Sequence, residues 1–234
     1  MAVLELSGVT AGYGTTPVLR DVDLSVEAGE IVGVMGKNGV GKTTLVKTII
    51  GLIEPMSGSI VYDGTDLTDA DASERARTGI GYIPQGREVF PDLSVEQNLE
   101  MGTTVNADSD ERLYDTVYEF FPILKERADQ KAGTLSGGQQ QMLAIGRALV
   151  ANPDLLLLDE PSEGIQPSIV KQISEDVQTI NERLGTTILF VEQNLAVIRR
   201  MADRCYAMER GELVDELDQQ TLGDEAALAE YLAV

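Results

Sequence analysis

Residues 36–43 read Gly36-Lys37-Asn38-Gly39-Val40-Gly41-Lys42-Thr43, a match to GxxxxGK[ST], set between the apolar run IVGVM and the helical stretch TTLVKTIIGL. Glycines at 36, 39 and 41 let the backbone curl until its N–H groups converge on one anion-sized hollow, and the helix start behind them adds partial positive charge. Lys42 can reach the β- and γ-phosphates of a nucleotide, and Thr43 offers a hydroxyl to Mg²⁺. Asn38 and Thr44 are candidate contacts in the same turn. A second constellation is Leu155 to Leu158 followed by Asp159 and Glu160. Four leucines make a buried strand, and the carboxyl end of such a strand is where ligands sit in open α/β sheets. Asp159 would meet Mg²⁺ through water. Glu160 would face the γ-phosphate as the base that orients or polarises attacking water. Between the two stands Leu135-Ser136-Gly137-Gly138-Gln139, where Ser136 can cap the helix QQMLAIGRALV and two glycines leave its start open to an anion.

These residues need a sheet to hold them. VLELSGV and VLRDVDLSV alternate apolar and polar, IVGVM is a buried strand, and SGSIVYDG and IGYIP are further strands. From about Glu88 to Ala151 the pattern turns helical, with helices expected over 111–127 and 138–150. Strands resume at LLLLD and TTILFVE, and CYAMERGELVDEL reads as a hairpin turned at Arg210-Gly211. Strands alternating with helices imply a parallel sheet with a helical insertion. Leu113, Val117, Phe120, Phe121 and Leu124, like Met142, Ile145 and Leu149, fall at helical spacing and read as packing faces. Cys205 reads as a small buried hydrophobe.

Composition closes several routes. Eighteen Lys and Arg stand against 39 Asp and Glu, a net charge of −21, which argues against a general affinity for nucleic acid and against polybasic docking on anionic lipid. The acids are spread along the chain, so a salt-adapted source is expected first and a dedicated cationic partner second. Residues 211–234 hold seven acids and no Lys or Arg, and read as a solvated helical segment. A single cysteine cannot form an intramolecular disulfide, and MAVLELSGVT lacks a secretory layout, so an intracellular setting is expected. No apolar run approaches the roughly 18 residues of a membrane helix. With no histidine in the chain, His-based acid–base catalysis, His-dependent nucleophiles and His-ligated zinc are excluded.

LSGGQ at 135–139, just ahead of the DE strand and downstream of the phosphate loop, resembles the signature motif of the ATP-binding cassette (ABC) ATPases, and the resemblance covers nearly the full length. It implies an α/β phosphate-loop NTPase fold with a parallel core sheet, an N-terminal antiparallel β subdomain and an inserted α-helical subdomain. The core would take residues 1–87 and 152–217, the helical signature subdomain 88–151, and a short acidic helical segment 218–234. The resemblance also implies a dimer with two ATP molecules at its interface. Each would lie, with Mg²⁺, between the phosphate loop of one chain and Ser136, Gly137, Gly138 and Gln139 of the other. Tyr13 matches the aromatic that stacks on adenine. Gln85 matches the glutamine that touches Mg²⁺ and the attacking water and links sheet to insertion. Ser162-Glu163-Gly164-Ile165 matches the loop that crosses the interface, though relatives carry SALD-like residues there.

A second departure is Gln193, which stands where the family has a switch histidine. Its amide can donate a hydrogen bond to the γ-phosphate but cannot carry charge. Slow hydrolysis, or dependence on a partner's site, is expected; unchanged turnover in a Gln193→His variant would count against it. GYIPQGREVFP at 81–91, EPSEGIQPSIV at 160–170 and VEQN at 191–194 resemble one cassette of the branched-chain amino acid and urea importers. Such importers carry two different ATPase chains at the cytoplasmic face of the membrane, two membrane permease chains and an external binding protein, so a heterodimer is expected first and a homodimer second. EGIQPS and GKNGVGKTT look closer to the urea type, so a urea or short-chain amide importer is expected first and a branched-chain amino acid importer second. Arg87, Glu88 and Phe90 either face the permeases or pack the insertion. A soluble relative acting on ribosomes or DNA would bring fused cassettes, coiled-coil insertions or basic arms. A non-catalytic regulator would lack Glu160 or Lys42.

Overall fold

In chain order the strands are β1 (Ala2–Tyr13), β2 (Thr16–Glu27), β3 (Ile31–Met35), β4 (Pro55–Tyr62), β5 (Thr65–Asp66), β6 (Ile80–Ile83), β7 (Leu155–Asp159), β8 (Thr187–Glu192), β9 (Arg204–Glu209) and β10 (Glu212–Leu217). The helices are α1 (Lys42–Ile49), α2 (Ala72–Arg77), α3 (Val95–Gly102), α4 (Tyr114–Phe120), α5 (Pro122–Glu126), α6 (Gly137–Leu149), α7 (Pro167–Leu184), α8 (Leu195–Met201) and α9 (Gln219–Gly223). The structure, a computed structural model, describes residues 2–104, 113–224 and 228.

Two sheets follow from the two kinds of pattern. The alternating segments make an antiparallel sheet ordered β2-β1-β4-β5, while the apolar runs make a second sheet ordered β10-β9-β3-β8-β7-β6. In the second sheet β6, β7, β8, β3 and β9 run parallel, and only the edge strand β10 is antiparallel. β3, β7 and β8 are buried at every residue, because a parallel sheet is covered on both faces. Strand periodicity splits their side chains cleanly. Leu156, Leu158, Ile188 and Phe190 join the helical layer of α6, α7 and α8. Leu155, Leu157, Leu189 and Val191 join α1 and the antiparallel sheet.

The expected hairpin is present: Glu209 pairs with Glu212, and Arg210 and Gly211 both have positive φ, 50° and 89°. That is the turn whose twist suits two strands. A Cβ on Gly211 would come within 1.8 Å of the Val18 carbonyl oxygen, so the position demands glycine. Cys205 is buried, as its pattern predicts, and burial pushes its thiol up to about 12.

The helix expected over 111–127 is not continuous. It is interrupted at Phe121 (φ −127°, ψ 72°), where α4 gives way to α5. Pro122 has no N–H to donate and drives the residue before it out of helical geometry. Residues 111 and 112 lie outside the described residues. Of the acidic segment 218–234, α9 is described, with Asp218 capping it through the Thr221 N–H. Leu228 is described and buried. Among the described residues no helix is long and apolar enough to cross a membrane.

Candidate active site

The parallel strands bring the sequence motifs to one edge. Met35 at the end of β3 pairs with Glu192 at the end of β8, Val191 pairs with Asp159 at the end of β7, and Leu158 pairs with Ile83 at the end of β6. The phosphate loop, the 193–194 segment, Glu160 and Gln85 therefore leave the sheet side by side. Within the loop, Gly39 and Gly41 hold φ of 81° and 119°, and a Cβ on Gly39 would meet nothing within 4 Å. At Gly36 a Cβ would lie 2.6 Å from the Met208 carbonyl oxygen. Gly41 is the N-cap of α1 and supplies no side-chain cap, which leaves the first N–H groups of the helix for an anion.

Lys42 is 3% exposed, an expensive place for an ammonium unless it is fully partnered. Its Nζ donates to the carbonyl oxygens of Gly36 and Lys37, both at 2.9 Å, and pairs with Glu160 Oε1 at 3.1 Å. Thr43 Oγ1 donates to Asp159 Oδ1 at 3.0 Å, and Gln85 Nε2 reaches Glu160 Oε2 at 3.5 Å. A cleft of about 260 Å³ lies over this group, walled by Tyr13, Asn38, Lys42, Thr43, Gln85 and Glu160. Val18, Gly39, Gly41 and Thr44 complete the wall, and Tyr13 stands exposed at its rim.

Asp159 is buried, and its Oδ2 has no hydrogen-bond partner. Burial pushes its carboxyl up to about 6, the Thr43 hydrogen bond pulls it down, and the neighbouring Glu160 charge raises it again. An orphaned buried carboxylate oxygen beside a threonine hydroxyl fits a hard cation. Mg²⁺ is bound in this way, by one or two carboxylates plus water and phosphate oxygens. Among the described residues no group of three or more Cys, Asp or Glu could hold a metal alone, so phosphates would have to complete such a shell. Glu160 has a positive φ of 46°, unusual for a residue with a side chain. Its N–H is tied to the Val191 carbonyl at 3.0 Å, which fixes the strained turn and aims its carboxylate at Lys42.

Other sequence candidates lie elsewhere. Ser136 and Gln139 close a capping box at the start of α6, with Gln139 Oε1 accepting the Ser136 N–H at 3.0 Å and Ser136 Oγ accepting the Gln139 N–H at 3.4 Å. Neither they nor Gly137 and Gly138 wall the cleft. Gln193 is exposed and does not wall it either. Glu88 and Phe90 line a larger groove of about 650 Å³ between sheet and helical layer, with Val89 and Met101. Arg87 does not. Its Nη2 donates to the Glu163 carbonyl at 2.7 Å, so it links the Gln85 segment to the 162–165 loop.

Two residues escaped sequence reasoning. Arg147 donates to the carbonyls of Glu88 and Arg87 and lies 5.1 Å over the Phe90 ring. Glu192 is a buried carboxylate that accepts three backbone N–H groups. The signal for Glu192 was an acid ending the otherwise apolar run TILFVE.

A loop shaped to grip phosphates, faced by a buried aspartate and a strained glutamate from a strand two places along the sheet, defines a phosphate-loop ATPase. A family model described as ABC transporter matches residues 19–163. The chain belongs to that family: it is an ATP-binding cassette and an ATPase. It is 46% identical over 213 residues, 91% of each chain, to the high-affinity branched-chain amino acid transport ATP-binding protein BraG of Pseudomonas aeruginosa. Over 204 residues, 87% of this chain and 86% of the other, it is 37% identical to a probable branched-chain amino acid transport ATP-binding protein, LivF, of Archaeoglobus fulgidus. Among solved structures, the ADP conformation of MJ1267, an ATP-binding cassette of an ABC transporter, superposes with a TM-score of 0.86 at 26% identity over the whole of both chains. A dimeric post-hydrolysis state of the cassette MJ0796 with ADP and phosphate superposes with a TM-score of 0.82 at 27% identity, over 92% of this chain and 98% of the other.

Proposed function

We propose that this chain is the ATP-hydrolysing motor of a branched-chain amino acid importer, working at the cytoplasmic face of the membrane beside a second cassette and two permeases. The observation that carries the solute is the 46% identity to BraG over 91% of both chains. It reverses the order drawn from EGIQPS and GKNGVGKTT, which put urea first. The salt-adapted source proposed for the −21 charge rests on composition alone, and the same charge supports a role without nucleic acid.

In this reading Tyr13 stacks on adenine at the rim of the cleft, and the 36–44 loop holds the phosphates through its N–H groups and Lys42. Thr43, Asp159 and Gln85 would hold Mg²⁺, whose charge would offset that developing on the phosphates. Glu160 takes the proton of the attacking water, positioned by Lys42 and Gln85, which it already meets at 3.1 and 3.5 Å. Ser136 to Gln139 serve the partner's nucleotide. Their place outside their own cleft supports this, as does a structural relative solved as a dimer. Gln193 stands in for the switch histidine. We divide the chain into a core of 1–87 and 152–217, a helical subdomain of 88–151 and an acidic segment of 218–234. The 650 Å³ groove, with Phe90 and Met101 exposed on its wall, would seat a permease helix next to Gln85.

Uptake of labelled leucine and labelled urea, in cells with and without this chain, tests the proposal. Leucine uptake should fall without the chain and stay low when only a Glu160→Gln form is supplied, while urea uptake is unchanged. Loss of urea uptake alone would reassign the solute. Normal entry of both would remove the importer assignment for these solutes.

A further inference from the structure

Two loops flank Glu160, and they come from different parts of the chain. Residues 162–165 follow it after Pro161, and residues 193–194 leave the neighbouring strand β8. One buried side chain joins them. Glu192, 3% exposed at the end of β8, accepts the Ser162 N–H on Oε1 at 3.0 Å. Its Oε2 accepts the N–H groups of Gln193 at 2.9 Å and Asn194 at 3.0 Å. Among the described residues no Lys or Arg forms an ion pair with it. Three backbone donors are what keep this carboxylate inside the protein, and hydrogen bonds to an ionised acceptor are roughly twice as strong as neutral ones.

We propose that Glu192 is a positioning residue for ATP hydrolysis, holding the 162–165 loop and Gln193 in register with Glu160. The stitching is double. The Val191 carbonyl, one residue earlier, binds the Glu160 N–H at 3.0 Å, and Glu192 itself then binds the Ser162 N–H. Residues 160–162 are thereby fastened at two points to the strand end from which Gln193 departs, and the positive φ of Glu160 is held from that side. Glu192 does not wall the nucleotide cleft. Its effect therefore falls on the geometry of the reacting groups and not on holding ATP. The inference rests on the ATPase activity of the family and not on which solute is carried.

Glu192→Gln keeps the shape but leaves one oxygen to accept and turns an NH₂ group toward backbone donors, so one of the two loops loses its anchor. The test uses the full chain with whatever subunits co-purify with it, and reads kcat for ATP, the Kd of a fluorescent ATP analogue, and the melting temperature. Expected is a fall in kcat of about ten- to a hundredfold, the range that small misplacements of reacting groups produce, with Kd within about twofold. In a Gln193→Ala background Glu192→Gln should cost less than alone, because the two act through one loop. If Glu192→Gln does not fold, Glu192→Asp carries the test. It keeps the charge but is one methylene too short to span both loops, and the same split between kcat and Kd is expected. Unchanged kcat, or a fall in kcat matched by an equal rise in Kd, would overturn the proposal.

Discussion

Replacing Glu160 by glutamine is expected to lower ATP turnover by about 10²–10⁴-fold, the usual contribution of a general base, while ATP binding is retained. The reason lies in what the amide can and cannot do. It fits the same space and can keep the 3.5 Å approach to Gln85, but it cannot take a proton from water. It also dissolves the 3.1 Å ion pair with Lys42. Lys42 then has only the Gly36 and Lys37 carbonyls, at 2.9 Å each, as partners and is freer to engage phosphate. Affinity for ATP should hold or rise as turnover falls. Single-turnover hydrolysis and equilibrium ATP binding on the same preparation check both halves. A loss of turnover below tenfold would mean that another group accepts the proton.

What the sequence disclosed follows from how locally each feature is determined. GKNGVGKT specifies its own backbone, because its glycines permit the positive φ values seen at 39 and 41. LLLLDE specifies a buried strand ending in acids, and parallel pairing carries both motifs to the same edge. The break at Phe121 was also legible, since Pro122 follows it, but the apolar spacing of 113–124 outweighed that signal. Features settled by a distant partner were hidden. Arg87 and Glu88 adopt positive φ, 72° and 43°, in a segment fastened by Arg147 and by the Glu163 carbonyl, 59 to 76 residues away in sequence. Glu192 looked like one more acid among 39, and its meaning lies in Ser162. The solute is furthest from the site, for no residue of the cleft has to touch it. A few residues of motif wording favoured urea, whereas identity spread over 213 residues favours amino acids.

Arg75 is the clearest case of a residue whose weight sequence conceals, and its loss should damage stability more than any other surface-looking change. ASERAR reads as an ordinary polar helix turn, yet Arg75 is 1% exposed. Its Nη1 donates to the carbonyls of Thr48 at 2.8 Å and Ile49 at 2.9 Å, Nε to Ala70 at 2.9 Å and Nη2 to Thr68 at 3.0 Å. The first two carbonyls belong to the end of α1, where helical carbonyls run out of partners and the helix dipole favours a cation. Burial pulls the guanidinium's pKa below its ordinary value. It nonetheless stays charged in proteins, held here by backbone oxygens. Arg75→Met fills part of the volume and strands the Ile49, Ala70 and Thr68 carbonyls, each worth about 1–3 kcal/mol when left buried without a partner, while the Thr48 carbonyl keeps the Gly51 N–H at 3.2 Å. With partial relaxation the expected destabilisation is about 3–5 kcal/mol. Arg75→Lys should recover under half of it, because one ammonium cannot match the planar fork. Urea unfolding with an unchanged m-value reads the loss directly; a shift worth less than about 1 kcal/mol would show that water reaches the carbonyls. Because α1 begins at the phosphate loop, a loosened far end should also weaken ATP binding, since Arg75 holds the end of α1 opposite the loop proposed to take the phosphates.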